Sequence, residues 1–183
     1  MEKRNLKCAS FFAGVGGIDL GFKNAGFETV YANEFNPYSA ETYEANFDIK
    51  VDVRDIREVQ NEEIHDFDIM LAGFPCQPFS VAGYRQGFDD EKGRGNLFFE
   101  LARIIEAKKP QIVFLENVRG LVTHDEGRTL MVILNTLSEL GYTTKFRLLN
   151  TKSFGNLPQN RERIYIVSFL DKEVHANFEF PKI

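Results

Sequence analysis

Residues 7–26 read KCASFFAGVGGIDLGFKNAG, and this stretch decides the fold. Its first residues form a short apolar run that is typical of a buried strand. Its last part repeats apolar residues at helical spacing and ends in glycine. The glycines between them let the backbone approach a bound molecule that a Cβ would repel. The stretch therefore predicts a strand, a ligand-binding turn and a helix; a turn that is merely tight is the alternative.

The glycine spacing differs from the fingerprint of dinucleotide-binding proteins. After Gly14 and Gly16, the position of the third glycine holds Asp19. In the fingerprint all three positions serve the pyrophosphate and the packing of the helix. Because Asp19 adds negative charge near a helix start, we expect a ligand without a pyrophosphate.

Strand and helix patterns alternate along the rest of the chain. Strands are predicted at 29–33, 68–72 and 112–115, with helical patterns between them, and 143–149 with 163–169 alternate like a late hairpin. Strands joined through helices imply right-handed crossovers. We therefore predict an α/β fold, with a mainly parallel sheet, helices on both faces and a late antiparallel hairpin.

Length and composition fit one ordinary globular domain over residues 1–183. The chain is 43% hydrophobic and 27% charged, which excludes a disordered or fibrous protein. Two cysteines cannot make a disulfide framework, and the sequence has no Cys/His spacing typical of a metal site. No apolar run approaches the length of a membrane span, and the start does not resemble a signal peptide. We expect a cytoplasmic protein without a metal or a membrane partner.

The net charge of −5 hides an uneven distribution. Acidic residues dominate between positions 41 and 68, whereas bases dominate between 143 and 165. A polyanionic partner would meet the second region. The alternative is that both regions are solvated faces.

The segment from Gly73 to Asn96 lacks periodicity, and it directly follows a predicted strand. Open α/β sheets place their chemistry at such strand ends, so we predict a mobile catalytic loop over 77–96. Cys76 lies between Pro75 and Pro78 at its start. A lone cysteine is usually a small buried hydrophobe, but two prolines that fix the backbone suit an aimed thiolate nucleophile. Cys8 is expected in the core.

Two acids follow the second strand and the next strand-like segment. Glu34 is placed where an acid commonly binds the hydroxyls of a ribose. Asp55 could accept a hydrogen bond from an adenine amino group. A helix-capping role is the alternative for Glu34. With the glycine turn, these acids form a set typical of a nucleoside site.

Glu116 follows the most apolar predicted strand. At a dry strand end this carboxyl is expected to keep its proton and donate a hydrogen bond, the alternative being a cap on the next helix. Arg161 and Arg163 precede the last strand. We expect one of their guanidinium groups to face inward and the other outward, the alternative being an ordinary charged strand edge.

Six motifs follow one another along the chain: FAGVGG (12–17), NEF (33–35), DI (55–56), GFPCQPFS (73–80), ENV (116–118) and QNRER (159–163). Together, and in this order, they resemble the bacterial C5-cytosine DNA methyltransferases. The likeness extends from about residue 7 to residue 181. It implies the Rossmann-like fold of S-adenosylmethionine-dependent methyltransferases.

The resemblance implies S-adenosylmethionine as the cofactor, S-adenosylhomocysteine as its product and no metal. It implies contacts from Phe12, Gly14 and Gly17 around the cofactor, from Glu34 to the ribose, from Phe35 and Ile56 to the faces of the adenine, from Asp55 to its amino group, and from Gly73, Pro75 and Leu97 along the methionine side.

The implied activity is methyl transfer to carbon 5 of cytosine in double-stranded DNA, as in the methylase of a restriction-modification system. Cys76 would attack C6 of a flipped cytosine. Glu116 would bind N3 and the amino group, Arg163 would bind O2, and Arg161 would support the same pocket. The segment 77–96 would close over the base.

The resemblance also shows a departure. Family members continue into a target-recognition domain and a C-terminal helix that returns beside the first strand, and this sequence ends at Ile183. We therefore expect a partner polypeptide that carries the recognition domain, or self-association through exposed apolar side chains such as Phe22, Phe27, Phe146 and Phe169. The alternative functions are a non-catalytic cofactor-binding subunit and an RNA cytosine-C5 methyltransferase.

Overall fold

The computed structural model describes residues 6–75, 97–155 and 157–182, and those residues form a single six-stranded sheet. Its order is β2-β1-β3-β4-β6-β5. The strands are β1 (Lys7–Phe11), β2 (Glu28–Asn33), β3 (Ile69–Ala72), β4 (Ile112–Val118), β5 (Thr143–Asn150) and β6 (Glu162–Phe169). The first four strands pair in parallel, and β6 is antiparallel to both β4 and β5. The predicted fold class is confirmed.

Helices connect the strands. The α-helices of the described residues are α1 (Gly17–Asn24), α2 (Pro37–Asn46), α3 (Leu97–Lys108), α4 (Arg128–Glu139), α5 (Thr151–Phe154) and α6 (Lys172–Asn177). Short 3₁₀ helices lie at Ile56–Glu58, Asn61–Glu63, Arg119–Val122 and His124–Gly127.

The two faces of the sheet are covered differently. Along β4, Val113 and Leu115 are fully buried in the large core that α3 and α4 cover, whereas Ile112 and Phe114 are half-buried on the opposite face. This alternation follows from the two-residue period of a strand. The second face carries α1 and α2, as the predicted helices on both faces require.

Local sequence explains the turn after β1 and the start of α2. Gly16 has a φ of 88°, and a Cβ there would overlap the ring of Phe47. Only glycine therefore fits between β1 and α1 at this point. The Asn36 side chain caps α2 by accepting hydrogen bonds from the amides of Tyr38 and Ser39, as its position before Pro37 predicts.

Asp19 joins four elements under the glycine turn. Its fully buried carboxylate accepts hydrogen bonds from Ser10 Oγ at 2.8 Å, Tyr43 Oη at 2.9 Å and Thr29 Oγ1 at 3.0 Å. Burial, and then the charge of Asp19, raise the pKa of Tyr43, so the phenol keeps the proton that it donates. Tyr43 stacks on Phe47, with ring centroids 4.4 Å apart. Asp19, which stands where the dinucleotide-binding fingerprint has its third glycine, therefore supports the turn from the interior of the fold.

The C-terminal residues pack against the late hairpin. Phe169 is 3% exposed and contacts the rings of His175 and Phe178. The expectation that Phe169 is exposed was therefore wrong, because α6 and the residues after it cover it. Phe22 and Phe27 are half-buried, and Phe146 is 47% exposed.

We predict that Asp19→Ala destabilises the chain by about 3 kcal/mol or more, because it leaves two buried hydroxyls, those of Ser10 and Tyr43, and the half-buried hydroxyl of Thr29 without their acceptor. Tyr43→Phe, which removes one donor and leaves the carboxylate two, should cost about 1 kcal/mol. Urea denaturation of the three proteins measures both effects. Equal stability of Asp19→Ala and the unchanged chain would contradict the supporting role.

Candidate active site

The glycine turn and Glu34 form one end of the candidate site. The Glu34 carboxylate accepts a hydrogen bond from the Gly14 amide at 2.8 Å and another from the Asn36 amide at 2.8 Å. Gly14 has a φ of 56°, and a Cβ built on Gly14 or on Gly17 would meet no atom within 4 Å. An open space lined by backbone and a carboxylate suits a ligand with hydroxyl groups, such as a ribose.

The segment that carries Asp55 is tied to the same place. Asn33 Nδ2 donates to the carbonyls of Asp52 and Arg54 at 3.0 and 2.9 Å, and the Glu34 amide donates to Asp52 O. The chain that leads into Asp55 is therefore bonded to the end of β2, where Glu34 lies. Asn33 is the residue that sequence analysis missed here, and its signal was a polar side chain at the end of a buried strand.

Asp55 is a charged acceptor at neutral pH. Hydrogen bonds and charge from the Arg57 guanidinium lower the pKa of its carboxyl. It also caps the helix Ile56–Glu58 through the Arg57 amide. Beyond the strand ends, the Phe35 side chain is 68% exposed, whereas Ile56 is 2% exposed.

A second end of the site is formed by Glu116 and Arg163. Glu116 Oε1 lies 2.9 Å from Arg163 Nε, and both side chains are 20% exposed. The strand predicted at 112–115 continues to Val118, because β6 pairs with β4 beyond the end of β3. Glu116 therefore lies inside a strand and not at its end, which corrects the expected position, and the next helix, Arg119–Val122, has no side-chain cap.

Arg161 lies on the same side of the sheet as Arg163. It lines a cleft with Glu116 and Tyr165. The expectation of opposite faces was wrong, since residues two apart in an extended chain return to one face. Burial, and then Glu116, raise the pKa of Tyr165, while the two arginines lower it.

Gly73 lies where the two ends meet. A Cβ on Gly73 would lie 3.5 Å from Glu116 Oε2 and 3.5 Å from Ile18 Cδ1, next to the glycine turn. One open cleft of about 680 Å³ runs from the glycine turn past Gly73 to Glu116. It is lined by Phe12, Ala13, Gly17, Ile18, Gly21, Phe22, Ala25, Phe27, Gly73, Phe114, Glu116, Arg161 and Tyr165. Five expected site residues thus share one cleft. The other described ones lie outside this lining: Gly14, Glu34, Phe35, Asp55, Ile56, Pro75, Leu97 and Arg163.

Asn117 fixes the chain just before Cys76. Its side chain is buried and donates from Nδ2 to the Phe74 carbonyl at 2.8 Å. The Phe74 ring packs on Phe98 in the first turn of α3, with centroids 5.8 Å apart. Their neighbours Pro75 and Leu97 are exposed and half-buried, respectively. Cys76 and the predicted loop 77–96 lie outside the described residues.

Within ranges 6–75, 97–155 and 157–182, no group of three or more His, Cys, Asp or Glu side chains could hold a metal ion. The helices in this part of the chain are also too short or too polar to cross a membrane.

Solved structures define the class of the fold. A putative DNA modification methyltransferase encoded within an Escherichia coli prophage superposes with a TM-score of 0.76 at 23% identity, over 97% of this chain and 51% of that chain. DNMT2 of Spodoptera frugiperda gives 0.74 at 24% identity, over 97% of this chain and 53% of that chain. At these identities the likeness establishes a methyltransferase-type α/β fold.

Sequence relatives define the family. The model of the C-5 cytosine-specific DNA methylases matches residues 6–183, and the chain belongs to this family. It is 58% identical to the type II methyltransferase M.Bsp6I of Bacillus sp. (strain RFL6), over 96% of this chain and 56% of the relative. It is 51% identical to the type II methyltransferase M.HaeII of Haemophilus aegyptius, over 98% of this chain and 54% of the relative. The chain spans about half the length of these relatives.

We predict that a thiol reagent labels only Cys76 in the native chain. Cys8 is fully buried, and burial, followed by the charges of Asp19 and Asp68, raises its pKa to about 12. Its reactive thiolate is therefore scarce at pH 8. Peptide mapping after labelling should find one site in the folded chain and two after unfolding. Cys76→Ser should abolish native labelling and Cys8→Ser should not; label on native Cys8 would contradict this.

Proposed function

We propose that this chain supplies the cofactor-binding and catalytic part of a type II modification methylase. The enzyme would transfer a methyl group from S-adenosylmethionine to carbon 5 of a cytosine flipped out of double-stranded DNA. The observation that carries the proposal is the convergence at Gly73. There, the glycine turn on one side and Glu116, which is paired with Arg163, on the other line one cleft.

The residues of the first end fit S-adenosylmethionine. Glu34 offers a carboxylate beside the open backbone of Gly14, as ribose hydroxyls require. Asp55 stays ionised and can accept a hydrogen bond from the adenine amino group. Phe35 and Ile56 would contact the two faces of the ring. Phe12, Gly17, Gly73, Pro75 and Leu97 would hold the rest of the molecule. Bound there, the sulfonium would supply an electrophilic methyl group.

The second end fits a cytosine. Glu116 would accept a hydrogen bond from the exocyclic amino group and, carrying a proton, would donate one to N3, while Arg163 would donate to O2. In the free chain these two side chains neutralise each other at 2.9 Å. An incoming base would exchange that ion pair for hydrogen bonds to its polar edge. Arg161, on the same side of the sheet, would support the pocket.

Cys76 would make carbon 5 reactive. Its thiolate would add to C6, and the C5–C6 π electrons would shift into the ring as N3 takes a proton from Glu116, which makes C5 an enamine carbon. C5 would then form a bond to the methyl carbon as the methyl–sulfur bond breaks and S-adenosylhomocysteine leaves. A base then removes the C5 proton, and that electron pair restores the double bond as the Cys76 sulfur leaves. The hydrogen bond from Asn117 to the Phe74 carbonyl holds the chain two residues before Cys76, which supports a defined position for the nucleophile.

We predict that the chain binds S-adenosylmethionine and that Glu34→Ala raises the dissociation constant by about tenfold, the cost of a charged hydrogen bond. Glu28→Ala, at the exposed opposite end of β2, is the matched control and should change nothing. Calorimetry measures all three proteins. Unchanged affinity in Glu34→Ala would remove this acid from the site.

Recognition of the target DNA sequence would come from the half of the family fold that this chain does not span, on the same or on a second polypeptide. The cleft face supports this, because Phe22, Phe27, Phe114 and Tyr165 remain half-buried around it. Partly exposed apolar side chains that share one cleft favour an interface there.

The purified chain should therefore self-associate at micromolar concentration in sedimentation velocity. A polypeptide that carries the second half of a type II relative, added in trans, should reduce this association and allow methyl transfer to duplex DNA. A clean monomer of high thermal stability would contradict the uncovered face. Methylation of RNA instead of DNA would overturn the proposed substrate.

A further inference from the structure

Arg103, in the middle of α3, binds the segment that carries Asp55 and Ile56. Its Nη1 donates to Asn61 Oδ1 at 2.5 Å, and its Nη2 donates to the carbonyls of Val59 and Ile56 at 3.0 and 3.3 Å. These acceptors lie in residues 55–63, named here the nucleoside segment. A single guanidinium thus joins both 3₁₀ helices of that segment to α3.

The geometry requires arginine. Glu100, one turn earlier, accepts from Arg103 Nε at 2.9 Å, and its own side chain is only 11% exposed. This pair orients the planar guanidinium so that its other two nitrogens reach the nucleoside segment. A lysine has one nitrogen at the end of a flexible stem and cannot reproduce this fork.

The bonds act directly on the proposed adenine site. The Ile56 carbonyl belongs to a residue proposed to contact the ring, and Asp55 precedes it and caps the same short helix. The nucleoside segment has little regular structure apart from its two short 3₁₀ helices. Arg103 therefore supplies side-chain bonds to a segment with few backbone bonds of its own.

We propose that Arg103 is a positioning residue for the nucleoside end of the cofactor site. It holds Asp55 and Ile56 in the binding geometry without touching the cofactor. Leu97, the first residue of α3, is expected at the methionine end of the cofactor. Through Arg103, the same helix would therefore hold both the nucleoside part and the methionine part of the cofactor site. This inference rests on the proposed function, because it presupposes that S-adenosylmethionine binds here.

The test measures the affinity of the full chain for S-adenosylmethionine by calorimetry. Arg103→Ala should raise the dissociation constant about tenfold, since a charged group with several bonds is lost. Arg103→Lys should show most of that loss, because the charge remains but the fork does not. Lys108→Ala is the matched control. It removes a cation from the same helix whose partner, Asp66, is 98% exposed, and it should change the affinity by less than about twofold.

A double-mutant cycle separates positioning from general destabilisation. If Arg103 acts in part through Asp55, Arg103→Ala should have a smaller effect in an Asp55→Ala chain than in a Glu34→Ala chain, where its full effect should remain. Additive effects with both acids, or full affinity in Arg103→Ala, would overturn the inference. Failure of the unchanged chain to bind the cofactor would overturn the proposed function, and this inference with it.

Discussion

The antiparallel pairing of β6 with β4 is the constraint on which the site depends. It places Glu116 opposite Tyr165 and Val118 opposite Arg163, and so brings the Arg163 guanidinium to the Glu116 carboxylate. It also extends β4 beyond the end of β3, which carries Glu116 past the core into the cleft. A slip of β6 by one residue would turn the Arg163 side chain to the face of the sheet opposite Glu116.

The other half of the site depends on side chains that join neighbouring strand ends. Asp19 binds hydroxyls from β1, β2 and α2 beneath the glycine turn, and Glu34 binds the turn from above. Asn33 holds the chain that leads to Asp55. Few of these bonds are local in sequence. The nucleoside end therefore depends on contacts between elements that are distant in sequence. Gly73, which has no side chain, leaves space between the glycine turn and Glu116.

Features with local causes could be predicted from the sequence. The glycine turn, the Asn36 cap and the alternation of strands and helices were predicted, because turn chemistry and hydrophobic period decide them. The end of β4 could not be, since pairing with a distant strand decides it. Asp19 was taken only as charge near a helix start, because its three hydroxyl partners come from separate segments. The expected exposure of Phe169 failed for the same reason: residues after α6 cover it.

The central claim is that this half of the family fold carries covalent cytosine-C5 chemistry at Cys76. Duplex DNA containing 5-fluorocytosine tests it most directly, because fluorine at C5 blocks the final elimination and leaves the protein attached. With cofactor and the second half of a type II relative present, mass spectrometry should find an adduct on Cys76 that Cys76→Ser abolishes. An adduct on Cys8, or one that survives Cys76→Ser, would contradict the account.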